Sequence, residues 1–190
     1  DGNLTPLPHP SIDTGMGLER ICSVMQNVNS NYDTDLIRPI IKAVEERAGK
    51  KYNPGAEGFP FRVIADHLRA CTFLISDGVI PSNEGRGYVL RRILRRAIRF
   101  GKSLGIDEPF MFELVPSVVE IMGEAYPEIV AEQQAIQKAI QVEEKKFHET
   151  LNEGLKLVNQ IIDTAKKENS QVIAGKDAFT MYDTYGFPFD

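Results

Sequence analysis

The residues with the clearest chemical capacity are basic side chains in a stretch without acidic neighbours. From Gly85 to Ile106 there is neither aspartate nor glutamate, and the positive charges are Arg86, Arg91, Arg92, Arg95, Arg96, Arg99 and Lys102. Arginine offers a planar fork of N–H donors that fits phosphate oxygens. A charged surface that serves only solubility usually pairs glutamate with lysine four residues apart. The stretch therefore predicts a surface for a nucleic-acid phosphate backbone, with a solvated helix face as the alternative.

A helix is the element that must position these arginines. At 100° per residue, the arginines from Arg91 to Arg99 occupy one face of a helix. The opposite face is aliphatic and comprises Leu90, Ile93, Leu94, Ala97 and Ile98. We predict the helix over about residues 88–102, after a loop at residues 81–87 that is rich in Pro, Gly and Asn. Because the apolar face is needed for a core, binding to a membrane surface is disfavoured.

The sequence around Gly15 and Gly17 has a second capacity for phosphate. Two glycines this close let a ligand approach the backbone, and a helix that starts after them presents free N–H groups. Arg20, one turn into that helix, is placed to reach the same phosphate. The spacing is neither the dinucleotide-binding nor the P-loop pattern. From the residues alone, a glycine turn with a helix cap is the more ordinary interpretation.

The remaining pattern predicts a mainly α protein. Apolar residues recur at helical spacing over about residues 16–25, 34–49, 61–77, 108–123, 128–167 and 177–182. A short strand is expected near residues 11–13. A helix over 128–167 would be roughly 60 Å long at 1.5 Å per residue. We therefore expect it to bend, to break or to pack against another long element.

The composition is that of a globular protein of one domain or two small ones. The 190 residues have a net charge of −5 and are 42% hydrophobic, and no apolar run reaches the length of a membrane span. Cys22 and Cys71 lack metal-ligand spacing and fit thiols in a reducing compartment, so a cytoplasmic location is expected. Since the chain begins with Asp1 and stops after a Gly-Phe-Pro turn, we expect it to be an internal piece of a longer protein.

Several strings in the sequence resemble a known family. Residues 15–20 (GMGLER) look like motif 3 of class II aminoacyl-tRNA synthetases, a strand and helix whose arginine contacts the ATP phosphates. Further strings are similar to the alanine-specific family within that class: SIDTGMGLER (11–20), VNSNYD (28–33), RVIADH (62–67), PSNE (81–84), RGYVLRRI (86–93) and YDTYGFP (182–188). Together they extend the resemblance from Pro8 to Asp190.

The resemblance implies a domain organisation. Residues 1–30 would be the C-terminal end of the class II aminoacylation domain, a small remnant of its sheet with one strand and one helix. Residues 31–127 would be the first part of a helical domain that recognises the tRNA acceptor stem. Residues 128–190 would supply a long helix and the second part of that domain.

The resemblance also implies roles for individual residues. Gly15, Gly17 and Arg20 would bind ATP, while Asn83 and Asp183 would read the guanine–uracil wobble pair that marks tRNA(Ala). The tRNA backbone would be positioned by Arg86, Arg91, Arg92, Arg95, Arg96 and Arg99. From the residues alone, the favoured interpretations are a turn residue for Asn83 and a cap of a tight turn for Asp183.

The parent enzyme implied by the resemblance is a ligase that joins alanine to tRNA(Ala) with ATP and magnesium. This chain alone is expected to be inactive and to need no cofactor, because motifs 1 and 2 have no counterpart in it. No metal site is expected: the zinc-binding cluster of the family's editing domain is missing, and His9, His67 and His148 are isolated. We expect neither a membrane nor a DNA partner.

Two other functions fit parts of the pattern. One is a helical protein-interaction module, in which the 128–167 helix makes a coiled-coil contact and the arginine face binds an acidic protein. The other is an independent nucleotide-binding protein that uses Gly15 and Gly17. Salt dependence and sequence preference of RNA binding distinguish the first from a tRNA reader.

Overall fold

The structure, a computed structural model, describes residues 5–167, 169–170 and 172–185. All regular elements within those residues are helical. They are α1 (Leu18–Met25), α2 (Arg38–Ala48), α3 (Phe59–Ser76), α4 (Gly85–Ser103), α5 (Met111–Met122), α6 (Pro127–Ala131), α7 (Gln133–Lys167) and α8 (Gly175–Asp183), with 3₁₀ turns at Asn31–Asp33 and Ala56–Gly58. The prediction of a mainly α protein is confirmed.

The chain divides into two compact units after Arg38. In the first unit, residues 5–17 form neither helix nor strand and are exposed, and α1 follows them. The strand that we expected near residues 11–13 does not form in this described stretch. A strand needs a neighbouring strand to pair its backbone N–H and C=O groups. The described part of the chain supplies no such neighbour.

The second unit is a bundle built around α3. This helix packs against α4, α5 and α6, and α7 runs along both α4 and α5. The largest side chains of the core are fully buried and include Ile40, Ile41, Ile64, Leu68, Leu90, Leu94, Ile98, Phe110, Met111 and Phe147. Burial of each such side chain stabilises the fold by about 1.5–3 kcal/mol. None of the helices in the described residues is long and apolar enough to cross a bilayer.

The predicted helix over residues 128–167 is interrupted near its start. Glu132 separates α6 from α7 with φ −98° and ψ 4°, outside regular α-helix geometry. Its carboxylate accepts a hydrogen bond from Ser76 Oγ of α3 at 3.0 Å. The remaining 35 residues of α7 span about 52 Å at 1.5 Å per residue. The expectation of a break and of packing against other elements is confirmed.

The first turn of α5 is capped by a side chain from α7. Glu144 is fully buried, and its carboxylate accepts N–H bonds from Phe110 at 3.0 Å, Met111 at 2.9 Å and Phe112 at 3.1 Å. The first N–H groups of a helix have no partner inside the helix, so an acceptor from elsewhere must satisfy them. Glu144 therefore fixes the start of α5 against the middle of α7.

Candidate nucleic-acid interface

Helix α4 has the two faces that the sequence predicts. Leu90, Leu94, Ala97 and Ile98 are fully buried, whereas Ile93 is only half-buried. On the other side, Arg86 and Arg92 are exposed, and the remaining four arginines of the predicted surface, Arg91, Arg95, Arg96 and Arg99, are half-buried. The arginines therefore differ in how far they are available to a ligand.

A glutamate of α7 holds two of these arginines. Oε1 of Glu143 accepts a hydrogen bond from Arg95 Nε at 2.8 Å and lies 3.2 Å from Arg91 Nε. The Glu143 side chain is only 6% exposed, against 15% for Arg91 and 17% for Arg95. The guanidinium of Arg95 also lies 4.9 Å from the centre of the Phe147 ring, a cation–π contact. The charge of Glu143 thus offsets much of the positive charge at the border between α4 and α7.

The loop before α4 carries Asn83, which forms a hydrogen bond with Arg91. Asn83 is exposed, and its Oδ1 accepts a hydrogen bond from Arg91 Nη1. Within the loop, Ser82 Oγ donates to the Glu84 carbonyl at 2.9 Å, and the Ser82 N–H donates to the Gly87 carbonyl at 3.2 Å. These bonds fold the loop back against the first turn of α4.

The middle of the α4 surface contains a histidine network. Nη1 of Arg96 lies 3.1 Å from His67 Nε2, and Nδ1 of His67 lies 2.8 Å from Asp66 Oδ2. A guanidinium can only donate, so Nε2 accepts and Nδ1 carries the proton toward Asp66. This hydrogen bond from His67 lowers the pKa of the Asp66 carboxyl despite its partial burial. His67 is therefore a hydrogen-bonded histidine that orients Arg96.

Aromatic rings line the same surface. The guanidinium of Arg96 lies 5.5 Å from the centre of Phe100, and that of Arg99 lies 5.0 Å from the same ring. Phe59, which is 44% exposed, meets Phe100 edge to face with ring centres 5.3 Å apart. Arginine stacked on exposed aromatic rings is a common feature of surfaces that bind nucleic-acid bases and phosphates.

The end of α8 meets the start of α4. The hydroxyls of Tyr182 and Tyr88 are 3.5 Å apart, and Arg92 lies over the Tyr88 ring at 5.7 Å. The hydrogen bond with Tyr88 raises the pKa of Tyr182, and the neighbouring Arg92 and Asp183 charges act on it with opposite signs. Asp183 is the exposed last residue of α8. The tyrosine contact therefore places the residue before Asp183 against the first turn of α4.

The glycine motif lies in the first unit. Gly17 is the N-cap of α1 and forms no side-chain cap, so the first N–H groups of this helix lack that partner. Arg20 is exposed and its side chain folds back along the glycine, where a Cβ would lie only 3.3 Å from Arg20 Cδ. Gly15 has open space around it. This geometry fits a phosphate, because it combines open backbone, helix N–H groups and a guanidinium.

The structure thus brings together the Asn83 loop, the arginine face and the end of α8.

Sequence reasoning missed Glu143, which joins Arg91 and Arg95. Its signal is nevertheless present, because residues 136, 140, 147 and 151 of α7 form an apolar stripe that continues through Glu143 and Glu144. Charged residues on a buried stripe require partners. In the part of the chain that the structure describes, no cluster of His, Cys, Asp and Glu could hold a metal ion.

The whole chain, residues 1–190, matches the family described as tRNA synthetases class II (A). The chain belongs to this family. It is 57% identical over 191 residues to the alanine–tRNA ligase of Halalkalibacterium halodurans. It is 56% identical to the alanine–tRNA ligases of Geobacillus kaustophilus and Bacillus subtilis.

Each of these alignments covers the whole chain but 22% of the relative. The predicted resemblance to the alanine-specific class II synthetases is confirmed. The small share of each relative agrees with the prediction that this class II chain corresponds to a segment of a longer enzyme.

Proposed function

We propose that this chain is the tRNA-recognition segment of an alanine–tRNA ligase and binds the acceptor stem of tRNA(Ala). The parent would join alanine to that tRNA with ATP and magnesium in the cytoplasm. The observation that carries the proposal is the meeting of three features at one end of α4: the Asn83 loop, the exposed arginines and the end of α8. This arrangement combines groups that can read a base pair with groups that can bind its backbone.

Asn83 and Asp183 offer opposite hydrogen-bonding groups to a guanine–uracil wobble pair. Because Arg91 occupies Oδ1 of Asn83, the free groups of that amide are its two N–H donors. The exposed carboxylate of Asp183 can only accept. In the shallow minor groove of A-form RNA, the guanine amino group is a donor and other base atoms are acceptors. Asp183 would accept from the guanine amino group, and Asn83 would donate to an acceptor of the pair.

The arginines would bind the RNA backbone in different ways. Arg86 and Arg92 are exposed and would contact phosphates directly. Arg96 and Arg99, which stack on Phe100, would extend the track along α4. The remaining two, Arg91 and Arg95, would contribute to the positive field while they hold α4 on α7.

Binding of short RNA duplexes tests this proposal. Two acceptor-stem duplexes, one with the wobble pair and one with a guanine–cytosine pair, are titrated at several salt concentrations. The unmodified chain should prefer the wobble duplex, with affinity that falls linearly on a log–log plot against salt. Asn83→Ala and Asp183→Asn should reduce the preference, whereas Arg92→Ala should weaken both duplexes alike and lower the salt slope by about one.

Lys145→Ala is the matched control, since Lys145 is an exposed cation of α7 outside the α4 surface. It should leave the preference and the affinity almost unchanged. Equal losses on both duplexes from Asn83→Ala would refute the base-reading role. Binding that does not depend on salt would instead favour the protein-interaction module.

Residues 1–30 would be the end of the aminoacylation domain, with residues 11–13 as a strand of its sheet. Leu18, Val24 and Met25 of α1 are exposed apolar side chains, as expected of a helix that packs on a larger domain. Gly15, Gly17 and Arg20 would bind ATP phosphates there. The chain alone should not catalyse alanine-dependent exchange of pyrophosphate into ATP. Detection of that exchange would refute this part of the proposal.

A further inference from the structure

The side chain of Asn83 is held by a chain of contacts that begins in the protein interior. Glu143 lies on the buried stripe of α7, Arg91 lies on the border of α4, and Asn83 lies in the exposed loop. Arg91 makes contact at both ends: its Nε lies 3.2 Å from Glu143 Oε1 and its Nη1 donates to Asn83 Oδ1. Asn83 and Arg91 are eight residues apart, whereas Glu143 lies on the distant helix α7.

The contacts restrict which way the amide can face. Asparagine has one acceptor oxygen and one donor nitrogen, which are of nearly equal size. Arginine has no acceptor, so a rotated amide would place two donors against each other. Arg91 is 15% exposed, and its buried Nε makes no hydrogen bond but lies 3.2 Å from Glu143 Oε1, so the ion pair with Glu143 restrains the guanidinium. The donor side of the Asn83 amide is therefore directed away from Arg91.

We infer that Glu143 is a positioning residue that acts through Arg91 to fix the orientation of the Asn83 amide. The inference rests on the proposed function only for its consequence in RNA selection. Without the negative charge of Glu143, Arg91 would lose the partner that holds its inner end. The amide of Asn83 would then sample both orientations, and its donors would no longer be presented in one direction.

Arg95 provides the matched comparison. It contacts the same oxygen of Glu143 and lies one helical turn after Arg91, but the structure records no contact between Arg95 and Asn83 among the described residues. If Glu143 only stabilised the fold, replacing Arg91 and replacing Arg95 should have the same effect. The positioning role requires that Arg91 alone transmits the effect to Asn83.

The test uses the full chain labelled with ¹⁵N, without RNA. The side-chain amide signals of Asn83 are assigned by their loss in Asn83→Ala. Arg91→Lys and Glu143→Gln should shift these signals, because the hydrogen bond to Oδ1 polarises the amide. Arg95→Lys, and Glu149→Gln at an exposed position of α7, should leave them in place. Unchanged signals in Glu143→Gln would overturn the inference, as would an equal shift in Arg95→Lys.

The same variants are then titrated with the two duplexes. Arg91→Lys and Glu143→Gln should reduce the wobble preference by about fivefold, the effect of one hydrogen bond, while Arg95→Lys weakens both duplexes in parallel. If the unmodified chain shows no preference, the proposed function fails while the amide signals still decide the positioning role. If Glu143→Gln does not fold, Glu143→Asp, which keeps the charge but draws it away from Arg91, replaces it in both measurements.

Discussion

The carboxylate of Glu144 should stabilise the fold more as a hydrogen-bond acceptor than it costs as a buried charge, and Glu144→Ala measures the difference. The substitution leaves three N–H groups at the start of α5 without their acceptor. Two of them belong to the buried residues Phe110 and Met111. Each unsatisfied buried donor costs about 1–3 kcal/mol, so these two cost about 4 kcal/mol together.

The cost of burying the charge acts in the opposite direction. Burial raises the pKa of Glu144 from 4.5 to about 6, although the three N–H bonds favour the charged form. At pH 7 such a shift corresponds to about 2 kcal/mol of destabilisation, at about 1.4 kcal/mol per pKa unit. Glu144→Ala removes this penalty together with the three bonds, so its net loss at pH 7 should stay below about 4 kcal/mol and should grow as the pH falls.

The pH dependence of the free energy of unfolding separates the hydrogen-bonding effect of Glu144 from the cost of burying its charge. Because the folded-state pKa lies above the unfolded-state value, the stability that the protonated group contributes is fully present below pH 4.5. It is lost as the pH rises through about 6. Glu144→Gln cannot ionise. The free energy of unfolding of the unmodified chain minus that of this variant should therefore be about 2 kcal/mol larger at pH 4.5 than at pH 7.5.

Urea unfolding followed by far-UV circular dichroism between pH 4.5 and 7.5 measures this difference. Glu149→Gln, at an exposed position on the same helix, is the matched control. If the free energy of unfolding of the unmodified chain rose with pH relative to that of Glu144→Gln, the reasoning would be refuted. Such a rise would mean that the three N–H bonds, and not burial, decide the ionisation of Glu144.

Three further substitutions test the packing. Gly101→Ala should destabilise the chain by about 1–3 kcal/mol, partly offset by better helix propensity, because a Cβ would lie 2.2 Å from the Phe110 ring; thermal melting measures it. His148→Leu should stabilise the chain, since both ring nitrogens are buried without a partner in the described structure. Burial lowers the pKa of His148, so the advantage of the variant should grow as the pH falls below 6.5. Gly87→Ala should weaken the wobble preference in duplex titrations, because its Cβ would lie 2.3 Å from the Ile80 carbonyl and displace the loop before α4.

The positions of the helices could be predicted because their apolar periodicity is strong and local. The end of α3 is an example: the sequence Asp77-Gly78 predicts a stop, and Gly78 indeed adopts φ +80°. The Gly78 N–H donates to Ile75 and the Val79 N–H to Leu74, both at 2.9 Å, which closes the helix. Such signals lie within a few residues of each other, so the sequence alone is sufficient to read them.

The hydrogen bond of Glu132 beside the break, and the strand that residues 11–13 do not form, both require partners that are far away in sequence. The Glu132 carboxylate bonds to Ser76 of α3, 56 residues earlier. No local pattern distinguishes this glutamate from the other acidic residues of the same stretch. Residues 11–13, in turn, read as a strand only if other strands are present to pair with them.

The roles of the arginines show the same limit at the candidate site. A helical wheel places five arginines on one face and counts each as an available charge. The structure separates them by their neighbours: Arg92 is exposed, whereas Arg91 and Arg95 share the carboxylate of Glu143. The sequence separation between Arg95 and Glu143 is 48 residues. Which arginines are free for a ligand is therefore a property of tertiary packing.

Helix α7 shows why two adjacent acidic residues on a buried stripe have different structural roles. Successive residues of a helix point about 100° apart, so neighbours in sequence face different elements. Glu143 meets the arginines of α4, and Glu144 meets the N–H groups at the start of α5. One carboxylate thus sets the charge of the candidate RNA surface, while the other fixes the helix behind it. Replacing either one should disturb a different property of the chain: RNA selection for Glu143, and stability for Glu144.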